Sequence, residues 1–291
     1  MTASVGIGLA FVAMLCWGFG DFLIQKSTRK LGDWETLFVI SLFGVLVLLP
    51  FVWKSIPGVL MGSLGNILIL SAASVVILLA ALIDFEALRK GKFAIVEPIW
   101  SLEVPVAALL AFFLLNERIS VFQIVSIIAL LVCLMMVSFR EKSFSKSLLM
   151  EKGALLAVIG AMIMGCSNFL MGWGGRVTDP LFVNFFTNVF LTLATLLFLI
   201  VSGRMNRVWG DIKHGYGYLL PMALFDNIAW IAYVFAMNLS SIAVVTALSE
   251  SYIIITVLLG LFINKEKIQK HQKVGLVGAI IFAIVLAATT G

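Results

Sequence analysis

Ten apolar stretches, each of about 20 residues and so long enough to cross a lipid bilayer as a helix, take up nearly all of this chain. They run approximately over 4–24, 34–52, 62–88, 93–115, 120–139, 153–175, 181–202, 216–237, 242–263 and 272–289. No segment between them is long enough to fold alone. With 62% of residues hydrophobic and 12% charged, a water-soluble domain is excluded. A pI near 9.2 would suggest a nucleic-acid partner in a soluble chain. Here the basic residues form short clusters at span ends, where they set topology and meet anionic head groups, so no nucleic-acid partner is expected.

The placement of those bases adds a second constraint. In the first half they follow odd-numbered spans, with Lys26, Arg29 and Lys30 after span 1 and Arg89, Lys90 and Lys92 after span 3. In the second half Arg204, Arg207 and Lys213 follow span 7, and Lys265, Lys267, Lys270 and Lys273 surround the turn after span 9. Five spans per half is an odd number, so the halves cross the membrane in opposite senses. Seventeen of the twenty Lys and Arg residues, including Arg140, Lys142, Lys146 and Lys152 of the central linker, then lie on one face. Only Lys54, Arg118 and Arg176 lie on the other. The positive-inside rule makes the crowded face cytoplasmic and puts both termini outside. Span 1 lacks a positive n-region and a cleavage site, so it is expected to stay in the protein.

The halves also repeat in sequence. A shift of 147 residues lays Gly6, Ala10, Trp17, Gly18, Asp21, Phe22 and Leu23 on Gly153, Ala157, Met164, Gly165, Asn168, Phe169 and Leu170. A shift of 149 lays Ala87, Ala94, Val96, Asn116 to Ile119 and Gln123 on Ala236, Ala243, Val245, Lys265 to Ile268 and Gln272. The expected fold is an all-α integral membrane protein of ten transmembrane helices, arranged as two inverted five-helix repeats. The repeats are residues 1–140 and 153–291, and a basic linker, 141–152, joins them. Inverted repeats typify carriers that work by alternating access around a site near the midplane.

The turn Leu115-Asn116-Glu117-Arg118-Ile119, its partner Asn264-Lys265-Glu266-Lys267-Ile268, the pairs Ala87-Leu88 and Ala236-Met237, and Trp17-Gly18 together resemble the drug/metabolite transporter superfamily in its ten-helix, EamA-type branch. The resemblance covers nearly the whole chain, and it implies a secondary transporter in the cell membrane. It departs from the pattern at Asn116 and Lys265, which stand where Gly usually precedes the motif Glu. The charge count also departs from the usual family orientation, in which both termini are cytoplasmic. Phe225-Asp226, Tyr233, Asn238 and Ser251-Tyr252 look like the branches that move choline or related amines. Other branches carry amino acids, nucleobases or nucleotide sugars.

Polar groups inside the spans carry the chemistry, because a charged side chain at the bilayer centre costs about 2.5 to 3.5 kcal/mol on insertion scales. Asp84, Glu86 and Glu97 lie close in sequence to Arg89, Lys90 and Lys92, which predicts ion pairs at the interface. Glu117 and Glu266 fall at turns, where they are expected to cap helix N-termini. Glu103, Asp226 and Glu250 are eight to ten residues from a span end, roughly 12 to 15 Å deep at 1.5 Å per residue. No base lies at that depth in any span. Each must be protonated, paired with a cationic solute, or facing a wet cavity.

Their neighbours favour a cavity. Asp226, Trp230 and Tyr233 share a face of span 8, and Trp17 and Asp21 share one of span 1. An acid beside aromatic faces is how proteins hold organic cations. Span 9 adds Thr246 and Glu250 on one stripe and Ser249, Tyr252 and Thr256 on another. Pro98 and Pro105 flank Glu103 and predict a kinked helix with freed carbonyls near Ala94 and Ser101. The expected substrate-binding residues are therefore Trp17, Asp21, Glu103, Asp226, Trp230, Tyr233 and Tyr252, with Glu250 as the proton-coupling candidate. The expected solute is a cationic or zwitterionic amine, choline-like or amino-acid-like. A neutral or anionic metabolite, such as a nucleobase or nucleotide sugar, is the alternative.

An enzyme is not expected. Gly18-Phe19-Gly20-Asp21 and Phe225-Asp226 faintly match the two aspartate motifs of intramembrane aspartyl proteases, a remote alternative that would use Asp21 and Asp226. Their order is reversed here. His214 and His271 are expected in loops, and no metal or serine-hydrolase motif occurs. Neither cofactor nor metal is expected, and the partners are a small solute, the bilayer and protons as coupling ion. Cys16, Cys133 and Cys166 lie inside spans and imply no disulfide framework. Gly172, Gly174 and Gly175 end span 6 and most simply allow close packing.

The charge bias makes a direct prediction. A reporter active only in the cytoplasm is silent when fused after Gly291 and active when inserted near Ser145. The opposite pattern would reverse the orientation and leave the repeat intact.

Overall fold

The computed structural model describes residues 2–90, 96, 99–138, 153–255, 258 and 269–290. All regular elements among these residues are helical: α1 Thr2–Lys30, α2 Asp33–Val52, α3 Ile56–Leu60, α4 Leu64–Lys90, α5 Glu103–Leu115, α6 Val121–Ser138, α7 Ala154–Val177, α8 Pro180–Val201, α9 Met205–Leu239, α10 Ile242–Ser249 and α11 Lys270–Ala288. Eight are long and apolar enough to cross a membrane. This outcome follows from the solvent: hydrocarbon offers no partner for a peptide group, so helices that satisfy their own backbone are favoured. Among the described residues, the stretches at 93–115 and 242–263 supply the shorter helices α5 and α10. Lys92, Ala94, Glu97, Pro98, Arg140, Lys142, Lys146, Lys152, Thr256, Lys265, Glu266 and Lys267 lie outside the described residues, as do the insertion point at Ser145 and Gly291.

Two boundaries differ from the sequence expectation. Helix α9 begins at Met205 rather than near residue 216. Polar residues in 205–215 suggest a loop, but Val208 and Ile212, four apart, pack against Phe38 and Leu199 and carry the apolar stripe beyond the span. His214 is consequently on a helix, its Nδ1 2.8 Å from the Gly210 carbonyl. His271 likewise falls in the first turn of α11.

The most extensive helix contacts join one half of the chain to the other: α1 with α9, α4 with α7, α2 with α8 and α6 with α11. Residues equivalent under the sequence shifts make equivalent contacts. A Cβ on Gly18 would stand 2.9 Å from the Cβ of Ile255 and 3.4 Å from the Tyr252 carbonyl oxygen. On Gly165, the counterpart of Gly18, it would stand 2.6 Å from the Cβ of Val106 and 2.8 Å from the Glu103 carbonyl oxygen. Val106 and Glu103 are the counterparts of Ile255 and Tyr252. Small residues thus let each broken helix approach the other half, as is usual where lipid offers no hydrophobic drive between helices. Gly172 and Gly175 allow close packing within the second half, against Ile242 and Val234.

Helix starts repeat as well. Gln123 Oε1 accepts from the Ser120 amide at 2.9 Å while Ser120 Oγ accepts from the Gln123 amide at 3.2 Å. Gln269 and Gln272 form the same reciprocal cap on α11, which explains why Gln recurs at this position.

The helix ends carry the charge. At the base-rich end Glu86 pairs with Arg89 and Lys90, and Arg89 reaches Asp33 at 3.4 Å. Arg204 stands 3.6 Å from Glu35 and over the Phe198 ring, which stacks on Trp34 at 3.9 Å. At the opposite end Arg176 donates to the carbonyls of Met237 and Ser240, both at 2.9 Å, and to Glu117 at 3.2 Å. Glu117 also accepts the Ile242 amide at 2.8 Å. It therefore caps a helix N-terminus, as expected, but one in the other half of the chain. Arg29, the counterpart of Arg176, donates to the Leu88 carbonyl at 3.5 Å, and Leu88 is the counterpart of Met237.

Gly165→Ala should destabilise the fold by about 1 to 3 kcal/mol through overpacking, seen as a lower melting temperature in detergent. Gly8→Ala, where a Cβ meets nothing within 4 Å, should melt like the parent. Equal melting of the two variants would refute the close approach at Gly165.

Candidate functional site

The longest helices meet around a cavity with about 960 Å³ of empty space, mouth included. Its wall includes five carboxylates, Asp21, Asp84, Glu103, Asp226 and Glu250, contributed by helices of both halves. No Lys, Arg or His is among the described lining residues. The lining also includes the amides of Asn168, Asn184, Asn188 and Asn227 and the rings of Trp17, Trp100, Trp230 and Tyr252. Of the eight residues singled out from sequence, the fold brings Trp17, Asp21, Glu103, Asp226, Trp230, Glu250 and Tyr252 onto this one wall.

Tyr233 is not on it. The ring is fully buried behind Trp17 and Trp230, and its hydroxyl lies 2.7 Å from Thr246 Oγ1. The three rings pack edge to face, with centroids 5.4 Å apart for Trp17 and Trp230, 5.0 Å for Trp17 and Tyr233, and 5.8 Å for Trp230 and Tyr233. Rings that sandwich a cation at up to about 6 Å from each centroid would stand much further apart. The group is a packed aromatic wall and not an open box. Thr246 and Ser249 also leave the cavity to others, since their hydroxyls bond the carbonyls of Ile242 and Val245 in their own helix.

Asp84 overturns the reading of it as an interfacial ion pair. It is 4% exposed, lines the cavity beside Trp100, and leaves Oδ1 without a hydrogen-bond partner. Helix geometry gives the reason: five residues turn the chain by about 140°, so Arg89 points elsewhere, whereas Glu86 meets Arg89 and Lys90 at the i+3 and i+4 positions. Ile77, Ala81, Asp84, Phe85 and Leu88 recur at spacings of three and four, and that stripe could have revealed Asp84. Gly160 of α7 gives the carboxylate its room, since a Cβ there would collide with Asp84 Oδ1.

Glu103 and Glu250 owe their positions to helix breaks. Leu102 donates to the Ile99 carbonyl at 3.1 Å and, 149 residues on, Ser251 donates to the Leu248 carbonyl at 3.1 Å. Both are tight three-residue turns, and they fall at matching points of the two halves. In the first, Pro105 lacks the N–H that Ser101 would bond, and the Val104 amide takes that carbonyl at 3.3 Å. The expected freed carbonyl at Ser101 is thus satisfied locally. Glu103 opens α5 and Glu250 closes α10, so each break presents a carboxylate.

Around Glu103 the polar partners are set by the other half: Asn168 Nδ2 donates to Glu103 Oε2 at 2.9 Å. Asp21 and Tyr252 stand at the positions equivalent to Asn168 and Glu103, with the acid moved to the opposite helix. Across the cavity Asn227 donates to the carbonyls of Ile40 at 3.0 Å and Ala223 at 2.9 Å, and accepts from Asn188 at 3.2 Å. Gly44 leaves space for both amides. Sequence reading missed this amide wall, although Asn184, Thr187, Asn188 and Leu191 show the spacing of one helical face.

A multi-pass helical membrane protein whose halves enclose a solute-sized, acid-lined chamber belongs to the class of small-molecule carriers by fold and site. The model of the EamA-like transporter family matches twice, over residues 4–139 and 151–288. The chain is therefore a member of the EamA-like transporter family, within the drug/metabolite transporter superfamily, and membership implies a membrane transporter of small molecules. The fold is similar to that of a crystal structure described only as that of a protein. The two align with a TM-score of 0.75 at 15% identity, over 98% of this chain and 97% of the other. A search of the curated proteins found no significant match.

The Asn168–Glu103 bond can be tested by a double-mutant cycle. Asn168→Leu should cost about 1 to 3 kcal/mol by leaving a buried carboxyl oxygen unpaired, and adding Glu103→Leu should recover part of that loss. Strictly additive losses in melting experiments would show that the pair does not interact.

Proposed function

We propose that the protein is a secondary transporter of a small organic cation or zwitterion bearing an amine, working by alternating access in the cell membrane. The carboxylates of Asp84, Glu103, Asp226 and Glu250, on a wall with no basic side chain among its described residues, carry this reading. Negative charge held in a low-dielectric chamber must be balanced, by protons or by a cationic solute. A fully anionic metabolite would meet repulsion in the same place.

The architecture we propose is ten transmembrane helices in two inverted repeats, 1–140 and 153–291, with both termini outside and the basic linker inside. The matched contacts of Gly18 with Gly165 and of Arg29 with Arg176 support it. So do the matched breaks at Glu103 and Glu250, because discontinuous helices at the repeat interface are how many carriers build a midplane site. Trp17, Asp21, Glu103, Asp226, Trp230 and Tyr252 form the solute wall in this reading, and Tyr233 holds the two indoles in place from behind. Asp226, half-buried on that wall as Asp21 is, contacts the solute. Glu250, 5% exposed at a helix break, exchanges the coupling proton.

Protons and amine then compete for the same carboxylates. Lowering the pH from 8 to 5 should weaken amine binding, since protonation removes the attracting charge. Asp226→Asn should weaken binding by about 2 to 5 kcal/mol at every pH, the cost of losing one partner of a partly desolvated charge pair. Glu250→Gln should leave equilibrium binding largely intact and abolish proton-driven accumulation in proteoliposomes, while solute exchange continues. Parental binding and transport in both variants would make the acids structural. Saturable binding of a carboxylate, with no response to amines, would sink the cation reading.

A further inference from the structure

The hydrogen-bond pattern of the cavity narrows the head group, given that the solute is cationic as proposed above. Asn227 spends both N–H bonds on backbone carbonyls, Asn188 donates to Asn227, Asn184 donates to the Pro180 carbonyl at 2.7 Å and Asn168 donates to Glu103. These bonds fix the amide orientations. They leave the side-chain oxygens of Asn168, Asn184 and Asn188 accepting from none of the described residues. Asp84, 4% exposed on the same wall, turns its Oδ1 to Gly160 and sits beside the Trp100 indole. The donors on the wall are the Trp17, Trp100 and Trp230 indoles, the Tyr252 hydroxyl and the second N–H of Asn168, Asn184 and Asn188. With the carboxylate oxygens of Glu103, Asp226 and Glu250 added to the three amide oxygens, acceptors outnumber these donors.

A quaternary ammonium has no N–H to offer them. It is cheap to desolvate and is held by aromatic faces that surround it, but here Trp17, Trp230 and Tyr233 are packed against one another with centroids 5.0 to 5.8 Å apart. A primary ammonium brings three donors, and a guanidinium five. A solute that displaces water from these oxygens without donating to them leaves them unsatisfied, so a multi-donor head recovers its own desolvation cost and satisfies the wall at once. We propose that the cavity selects cations by their N–H groups: primary ammonium, amidinium or guanidinium heads are preferred over a quaternary ammonium on the same carbon chain.

The test is calorimetric titration of the full-length protein in lipid nanodiscs at pH 8 with butylammonium, butylguanidinium, butyltrimethylammonium and butyrate. The first two should bind about tenfold or more tighter than the third, the size expected for one or more charge-assisted bonds. Equal or tighter binding of butyltrimethylammonium overturns this inference and leaves the cationic reading standing. Butyrate binding with no response to any cation overturns the cationic reading itself, and no binding by any probe counts against both. In a second measurement, Asn184→Ala should shrink the butylammonium preference by about threefold or more, as loss of one acceptor predicts, while butyltrimethylammonium affinity stays within about twofold of the parent. A loss of fold would lower both affinities together, and an unchanged preference would remove the amide wall from the selection.

Discussion

Hydrocarbon supplies no hydrogen bonds and little screening, and nearly every feature of this protein answers to that. Peptide groups are satisfied within long helices, which accounts for the all-helical architecture among the described residues. Where a helix is interrupted, at 101–102 and 250–251, neighbouring amides close tight turns so that the break is repaired locally. Those repaired breaks are also where Glu103 and Glu250 enter the interior. The departures from regular helix and the departures from apolar composition coincide.

Charge is managed by separating two kinds of carboxylate. Glu86, Glu35 and Glu117 meet Arg or Lys at the helix ends, where water and head groups lower the cost of ionisation. Asp84, Glu103, Asp226 and Glu250 have no base beside them among the described lining residues. A buried charge is expensive, so these acids destabilise the empty protein relative to an apolar core. In the function we propose, a cation or protons remove that cost, and the fold's stability is supplied by helix packing elsewhere.

Packing between the halves gives the cavity its shape. Gly18, Gly165, Gly160 and Gly44 are places where a side chain is omitted so that a helix, a carboxylate or a pair of amides can approach. The Arg176 and Glu117 cluster ties α5, α7, α9 and α10 together at the face opposite the basic one. Arg29 bonds the equivalent carbonyl at the basic face. The two ends of the molecule are therefore built on related plans, as expected of a chain that the family model matches twice.

The sequence alone determined the membrane environment, the run of apolar helices, the duplication and the distance of Glu103, Asp226 and Glu250 from a span end, because each is a one-dimensional property: hydropathy, self-similarity and position along the chain. The direction a side chain faces was decided only in three dimensions. Asp84 lies five residues from Arg89 yet turns inward, and Tyr233 shares a helical face with Asp226 yet stands behind two indoles. The amide wall is assembled from α7, α8 and α9, and its free oxygens are set by bonds to Ile40, Pro180 and Glu103 that no spacing rule predicts. Position is written along the chain, whereas facing and hydrogen-bond polarity depend on which helix becomes the neighbour.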